Sequence, residues 1–539
     1  MEDRVSGGRR DWLAVAALAV AGRLWHLLHL AAGGRDAGLL YWPVLAARRF
    51  EECAEGLCAA GGSVSGAFSY ASPLYVLLIS PAYAVGCGRM CVYAVQAAMG
   101  AAVAVVIHRI ALRAGSGRIP AALAALVWIL YAPAAFYELT LLPVVPLALL
   151  VALWSGLEQN DKGKGGRWSC FASGLVCGAA AGLRPPLLLL AAYPFFREAV
   201  GRRLSRAAMV AAGAALPLAV LSLLHLSVEG DPYPFPRATG VNLVLGHSEG
   251  VTGLGPPAAA EGLVETGRED IHQVAARVAA ERGYDTPEEA DRYWTGRALR
   301  WIAENPGEEL GLVAAKLGGF LGWRQFDVYY DTVRARGRDT SLAPLFLPRW
   351  AVVLLLALGV PAFLAAGRSR WALLLPMGIT LAAALVFVHC ERYWLPALPS
   401  ALAAAAAGLT VLRRWLASGR LRRVFAAAAA AAALMLPGLL WPVPEVPECQ
   451  YLRGMAVRAY SMGDYPHALT LYERSALLAP RGSVTSVYSR YEALRISRAL
   501  GMEDRAREHA RILRELLRES GMESPSQEGA SIDSLGGGD

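Results

Sequence analysis

Four short stretches put ionisable side chains where long apolar runs end. Asp36 lies in GGRDAGLLYW, Glu138 in YAPAAFYELTLLP, Arg184 in AGLRPPLLLL, and Glu391 and Arg392 in VHCERYWLP. A charge near hydrocarbon is costly, roughly 2.5–3.5 kcal/mol at a helix centre and less toward the interface. Four such places, with charges of both signs, suggest a cleft with carboxylates on one wall and guanidinium groups on another. A carboxylate can accept the proton of an attacking hydroxyl. An arginine can neutralise a departing phosphate through paired, charge-assisted hydrogen bonds. Together these groups suit transfer from a lipid-linked phosphate donor. The sequence holds no Walker-type loop and no glycine-rich turn after a strand, so nothing in it points to a cradled nucleotide.

The elements that must position these groups follow from composition. The chain has 539 residues, of which 55% are apolar and only 18% charged, and its mean hydropathy is +0.37. That is far from an ordinary soluble composition. Eleven membrane spans are expected near 12–31, 88–108, 119–136, 141–157, 169–183, 186–196, 207–228, 347–366, 371–388, 394–411 and 424–441. Residues 73–86 are apolar but short and interrupted by proline, and read as an interfacial or re-entrant helix. The expected fold is therefore an all-α polytopic membrane protein of about eleven transmembrane helices.

Arginine and lysine cluster in alternate connections, from Arg4, Arg9 and Arg10 to Arg413–Arg423. The positive-inside rule makes that side cytoplasmic, with the N-terminus inside and the C-terminal tail outside. The net charge of +8 mostly reflects this bias, so nucleic acid is not an expected partner. Outside lie the loop 32–72 and the large segment 229–346, which includes TGVNLVLGHSEG.

The tail differs in character. Gly463, Tyr465, Ala468, Tyr472 and Pro480 have the spacings of one tetratricopeptide repeat, and Gly501 and Ala506 repeat the glycine–alanine pair 38 residues later. Residues 449–518 read as one good and one degenerate repeat, and 519–539 as a disordered end. Among eight cysteines, Cys53, Cys58, Cys87 and Cys91 form two close pairs. On the outer side of a membrane a disulfide or unpaired thiols rank above a four-thiolate zinc site. The remaining cysteines, such as Cys170 and Cys177, read as small buried apolar residues.

At this point the chain resembles a family. RDAGLLY, YASPLYVLL, FYELTLLPVVP, GLRPPLLLL, TGVNLVLGHSEG, ADRYWTGRALRWIAENPGEELGLVAAKLGGFLGW and ERYWLPALPS occur in the order seen in GT-C glycosyltransferases of the family 39 type. Those are related to protein O-mannosyltransferases and lipid A aminoarabinose transferases, and some bacterial members carry a tetratricopeptide tail. The resemblance implies a transmembrane glycosyltransferase domain over residues 1–441, using a polyprenyl-phosphate-linked sugar with inversion on the extracytoplasmic face. It implies Asp36 as general base and Glu138 as the second acidic residue of the site. Arg392 and Tyr393 match the late RY motif expected to meet the donor phosphate, with Arg184 as a further candidate. The family places an aromatic four residues after the first acid; here Tyr41 follows Asp36 by five. Gly240, Val241 and Asn242 match a turn over the site, which makes Asn242 and His247 substrate-site candidates.

The resemblance thus implies a cell-envelope transferase of a bacterial inner membrane, acting on a protein or glycolipid acceptor, with a further protein partner at the repeat-like tail. The chemistry requires no cofactor, although a divalent cation beside Asp36 would fit it. The competing readings are a transporter or flippase of lipid-linked sugars, and a membrane-tethered scaffold built around the tail.

Overall fold

The computed structural model describes residues 2–32, 35–58, 70–160, 166–254, 263, 270–327, 331–338, 341–345, 347–366 and 371–520. Its described elements are helices, with two isolated β-bridges between them. The chain opens with α1 (Glu2–Ala32), the six-residue α2 (Arg35–Leu40), α3 (Ala46–Cys58) and α4 (Pro73–Ala84). There follow α5 (Gly88–Arg113), α6 (Arg118–Leu130), α7 (Ala132–Glu138), α8 (Val144–Asn160) and α9 (Arg167–Leu183). A 3-10 segment, Pro185–Ala191, leads to α10 (Ala192–Val200) and α11 (Leu204–Glu229). The large insertion supplies α12 (Thr239–Gly246), α13 (Ile271–Ala280), α14 (Pro287–Glu304), α15 (Pro306–Leu321) and α16 (Thr332–Arg338). Then come α17 (Arg349–Ala365), α18 (Leu375–Val386), the single turn α19 (Glu391–Trp394), α20 (Leu398–Ala417) and α21 (Leu421–Leu440). Four last helices are α22 (Glu448–Ser461), α23 (Tyr465–Leu478), α24 (Val484–Ala499) and α25 (Glu503–Ser520).

The helix lengths correct the expected topology. Among the described residues five helices are long and apolar enough to cross a membrane: Asp11–Ala32, Gly88–Arg113, Leu204–Glu229, Glu391–Ala417 and Leu421–Leu440. The other six expected spans are not such helices. Tyr131, extended at φ −83° and ψ 107°, separates the 13 residues of α6 from α7. Arg184 is extended at φ −151° and ψ 104° and stops α9 after 17 residues. Phe387 ends α18 after 12. At 1.5 Å per residue these helices reach about 18–26 Å, short of the roughly 30 Å hydrocarbon layer. A hydropathy window does not register such breaks. It also cannot tell a lipid-facing run from a core, and here Trp128, Trp154 and Trp394 are buried inside the protein.

Buried ion pairs such as Arg23–Glu138, Arg349–Glu391 and Arg49–Asp270 run through the same packing. An eleven-span polytopic membrane transferase of the GT-C type, cytoplasmic at its N-terminus and extracytoplasmic at its tail, is therefore not what the fold describes. The membrane character is partial, and the multi-pass inner-membrane localisation, with the orientation that depended on counting eleven passes, falls with the count.

Close helix crossings are made by glycine. A Cβ on Gly174 would sit 2.1 Å from the Val210 carbonyl oxygen, and one on Gly213 would sit 2.2 Å from that of Phe171, so α9 and α11 meet backbone to backbone. Gly359 and Gly408 do the same between α17 and α20, where a Cβ on Gly408 would lie 1.8 Å from the Gly359 oxygen. Small residues at such crossings allow the carbonyl-to-backbone approach that holds apolar helices together.

The last four helices pack each on the next. Gly463 (φ +80°) and Gly501 (φ +70°) turn the chain between them in the left-handed region that favours glycine. Residues 521–539, most of the end expected to be disordered, lie outside the described residues.

Candidate functional site

The VHCERYWLP stretch sets two adjacent charges to different work. Glu391 is fully buried, and its carboxylate accepts from Arg349 and from the Tyr131 hydroxyl. Arg349 also donates to the carbonyls of Gly319 (3.0 Å), Phe320 (2.9 Å) and Gly322 (3.0 Å), at the end of α15. The negative end of a helix dipole is a favourable seat for that cation. Its guanidinium carbon also lies 4.6 Å from the centre of the Trp394 ring. This network fixes the α15, α17 and α19 junction and anchors the backbone from which Arg392 and Tyr393 extend.

Arg184 arrives from a distant part of the chain. It precedes Pro185 and Pro186, and a residue before proline is pushed out of the helical region. That local rule ends α9 and leaves Arg184 extended, with its guanidinium carbon 4.4 Å from the centre of the Tyr393 ring. Its Nη1 donates to the Tyr393 carbonyl at 3.4 Å. Arg392 lies 5.4 Å from the same ring. Among the described residues Arg184 makes no ion pair with a carboxylate. Burial pulls its pKa below the ordinary arginine value, and the neighbouring Arg392 charge pulls it further in the same direction.

Groups from other elements gather beside this pair. Asp270 caps α13 by accepting from the backbone of His272 (2.8 Å) and Gln273 (3.2 Å). It also pairs with the buried Arg49 of α3, whose Nη1 donates to the Tyr70 carbonyl at 2.8 Å. The Tyr70 and His272 rings stack at 6.1 Å. Burial holds His272 well below the ordinary histidine pKa, aided by the charges of Arg49 and Arg392. On another side the Tyr137 hydroxyl donates to Asp327 at 3.0 Å. Burial pushes the Cys390 thiol up to about 12, against the opposing pull of Arg392. Sequence reading missed Arg49, Tyr70, Asp270, His272 and Asp327. Only Asp270 carried a signal, because Asp270 and Gln273 have capping-box spacing ahead of an apolar helix.

The remaining expected site residues fall elsewhere. The Asp36 backbone lies in α2, and its side chain is outside the described residues. Tyr41 is buried, with its hydroxyl 2.8 Å from His26 Nε2 and its ring 5.3 Å from that of Phe136. Glu138 is sealed in the seam between α1, α5 and α7. Arg23 donates to its Oε1 through Nη2 (2.8 Å) and Nε (3.1 Å), and Gly100 leaves just the room it needs. Burial raises the Glu138 carboxyl to about 7, with Arg23 opposing.

Asn242 bonds back into its own helix, donating to the Ala238 carbonyl at 2.7 Å. His247 meets Glu309 through Nδ1 (2.7 Å) and Lys316 through Nε2 (2.9 Å), where α12 and α15 reach the end of α18. Thus Arg184, Arg392 and Tyr393 come together, Tyr41 and Glu138 share a separate seam, and Asn242 and His247 belong to the packing of the insertion.

The second cysteine pair is joined, as a Cys87–Cys91 disulfide at the start of α5, while Cys53 and Cys58 are free thiols. Among the described residues no group of three or more His, Cys, Asp or Glu side chains is placed to hold a metal ion. No family model, no curated protein and no solved structure matches the chain, so the family resemblance rests on the sequence motifs alone.

Proposed function

We propose that the protein transfers a sugar from a polyprenyl-phosphate-linked donor to an acceptor, with the donor phosphate held between Arg184 and Arg392 beside Tyr393. One observation carries this reading. Two guanidinium groups 208 positions apart in sequence converge on one tyrosine ring, and the half-buried Arg184 has no carboxylate among the described residues. Arg184, desolvated beside a second guanidinium and without a carboxylate partner among the described residues, calls for an anion, and a phosphate matches the guanidinium fork. The long apolar helices support a lipid-tailed substrate, since five of them have the length and composition to accompany a prenyl chain across hydrocarbon.

In this reading the acceptor hydroxyl attacks the anomeric carbon in line, its proton passes to the Asp36 carboxylate, and the bond from that carbon to the phosphate oxygen breaks. The departing phosphate gains a second negative charge, which Arg184 and Arg392 receive. Two guanidinium charges can carry that leaving group, so the scheme asks for no cofactor.

The test is release of polyprenyl phosphate by the purified chain in detergent, across a panel of undecaprenyl-phosphate hexoses and pentoses. Asp36→Asn should abolish release. Arg184→Gln and Arg392→Gln should each raise the donor KM about tenfold or more, the equivalent of one lost charge-assisted hydrogen bond. No release by the unaltered chain from any donor would overturn the proposal, as would an unchanged donor KM in both arginine variants. A transporter needs two compartments to work, so turnover in detergent also separates the two activities.

A further inference from the structure

The six residues of α2 carry Asp36, and six residues cannot sustain a helix in water without tertiary support. The structure shows where that support comes from. Leu40 and Tyr41 turn to the main apolar core. Leu39 and Val44 instead join a second cluster whose other members belong to the C-terminal helices, among them Tyr451, Leu452 and Met455 of α22. Leu39, Val44 and Leu452 are almost wholly buried, at 4%, 0% and 1% exposure. The insertion closes the same contact, since α16 also touches α2. From α16, Arg334 donates to the Val446 carbonyl at 2.7 Å, just ahead of α22, and its guanidinium carbon lies 5.2 Å from the centre of the Tyr451 ring. The four C-terminal helices are therefore seated on the segment that bears the expected base.

We infer that the C-terminal helical unit is a positioning element for α2: its α22 face holds the Asp36 segment in place, so that shifting this unit turns transfer off. The inference rests on the proposed role of Asp36 and concerns the regulation of that same site. It gives the tail a task distinct from recruiting an acceptor. A recruiting tail matters only for an acceptor that binds it, whereas a brace matters for every acceptor, including a small alcohol that never touches the tail.

The test uses full-length chains altered on the two sides of the contact, Leu39→Ala and Leu452→Ala. Leu513→Ala is the control, because Leu513 lies in the separate cluster between α24 and α25. Amide hydrogen exchange of residues 38–46 is measured first. It should accelerate at least tenfold in Leu39→Ala and Leu452→Ala and stay unchanged in Leu513→Ala, with residues 391–397 unaffected in all three. Transfer to glycerol, from whichever undecaprenyl-phosphate sugar the unaltered chain uses, should then fall at least tenfold in kcat with donor KM unchanged. Leu39→Met should restore it.

Unchanged exchange over 38–46 in both variants would overturn the inference, as would accelerated exchange with full kcat. Failure of the underlying reading looks different: the unaltered chain would release no polyprenyl phosphate, or Asp36→Asn would remain active. In that event the exchange arm still decides whether α22 braces α2.

Discussion

Removing Arg349 should be among the most damaging single changes away from the helix crossings. The residue is 4% exposed and its side chain serves Glu391, three carbonyls of α15 and its cap, and the Trp394 face together. In Arg349→Met the fully buried Glu391 loses its cation and keeps, among the described residues, only the Tyr131 hydroxyl as side-chain donor. Breaking a buried pair costs about 3–5 kcal/mol, because the stranded charge is the expensive part. Unfolding entropy of about 2.1 cal/mol/K per residue, over 539 residues, gives roughly 1.1 kcal/mol per kelvin. A loss of about 4 kcal/mol then lowers the thermal midpoint by about 4 °C.

Glu391→Gln should cost clearly less, since Arg349 retains its carbonyls and the indole face while the neutral amide can still accept from Tyr131. The loss in the double variant should fall at least 2 kcal/mol short of the sum of the two single losses. Thermal unfolding of the four proteins in one detergent measures this cycle. Two results would refute the reasoning: a Glu391→Gln loss equal to or larger than that of Arg349→Met, or additivity within about 0.5 kcal/mol.

Two further outcomes follow from buried geometry. Lys316 is fully buried and its amine is pulled by burial from 10.5 to about 8, with Glu309 opposing. Between those values the unfolded chain binds more protons than the folded one, so stability rises as pH rises from about 8 to about 10.5, by on the order of 3 kcal/mol in all. The cost is fully present below that window, and subtracting the pH profile of Lys316→Met isolates it; parallel profiles would remove Lys316 as its source. Gly408→Ala should destabilise by about 1–3 kcal/mol through overpacking of α17 on α20. Gly378→Ala, where an added Cβ meets nothing within 4 Å, should be neutral or gain about 0.5–1 kcal/mol, and equal effects at the two sites would count against the crossing.

How much of this was legible in the sequence depends on whether a local rule was enough. The helical class followed from composition, and the end of α9 at Arg184 follows from the two prolines after it. Asp36, Glu138, Arg184, Glu391 and Arg392 were singled out because charges at the ends of apolar runs are conspicuous. Whether each has a partner was not legible. Arg23 lies 115 residues before Glu138, inside what reads as an uninterrupted membrane run, and Arg349 lies 42 residues before Glu391. Arg49 and Asp270 are 221 apart and neither stands out in its own segment. Span number failed for a related reason. Apolar runs report burial, but the medium that buries them, lipid or protein, is decided by helix ends such as Tyr131 and Phe387, which average hydropathy smooths away.

The distinction between paired and unpaired charge also separates the architecture from the site. Arg23–Glu138, Arg349–Glu391 and Arg49–Asp270 each join elements that are remote in sequence, and each cation has further carbonyl partners. Such pairs add little over a well-packed apolar contact but are costly to half-remove, so they behave as register pins between helices. Arg184 obeys a different rule. It rests on an aromatic face and one long carbonyl contact, beside a second arginine, where the local field disfavours its own charge. A fold can tolerate that arrangement because the stacked ring and the neighbouring Arg349–Glu391 network hold the backbone independently of it. On the proposed reading the groups that keep the structure together are not those that meet the donor phosphate, and a substitution at Arg184 should move binding while one at Arg349 moves stability.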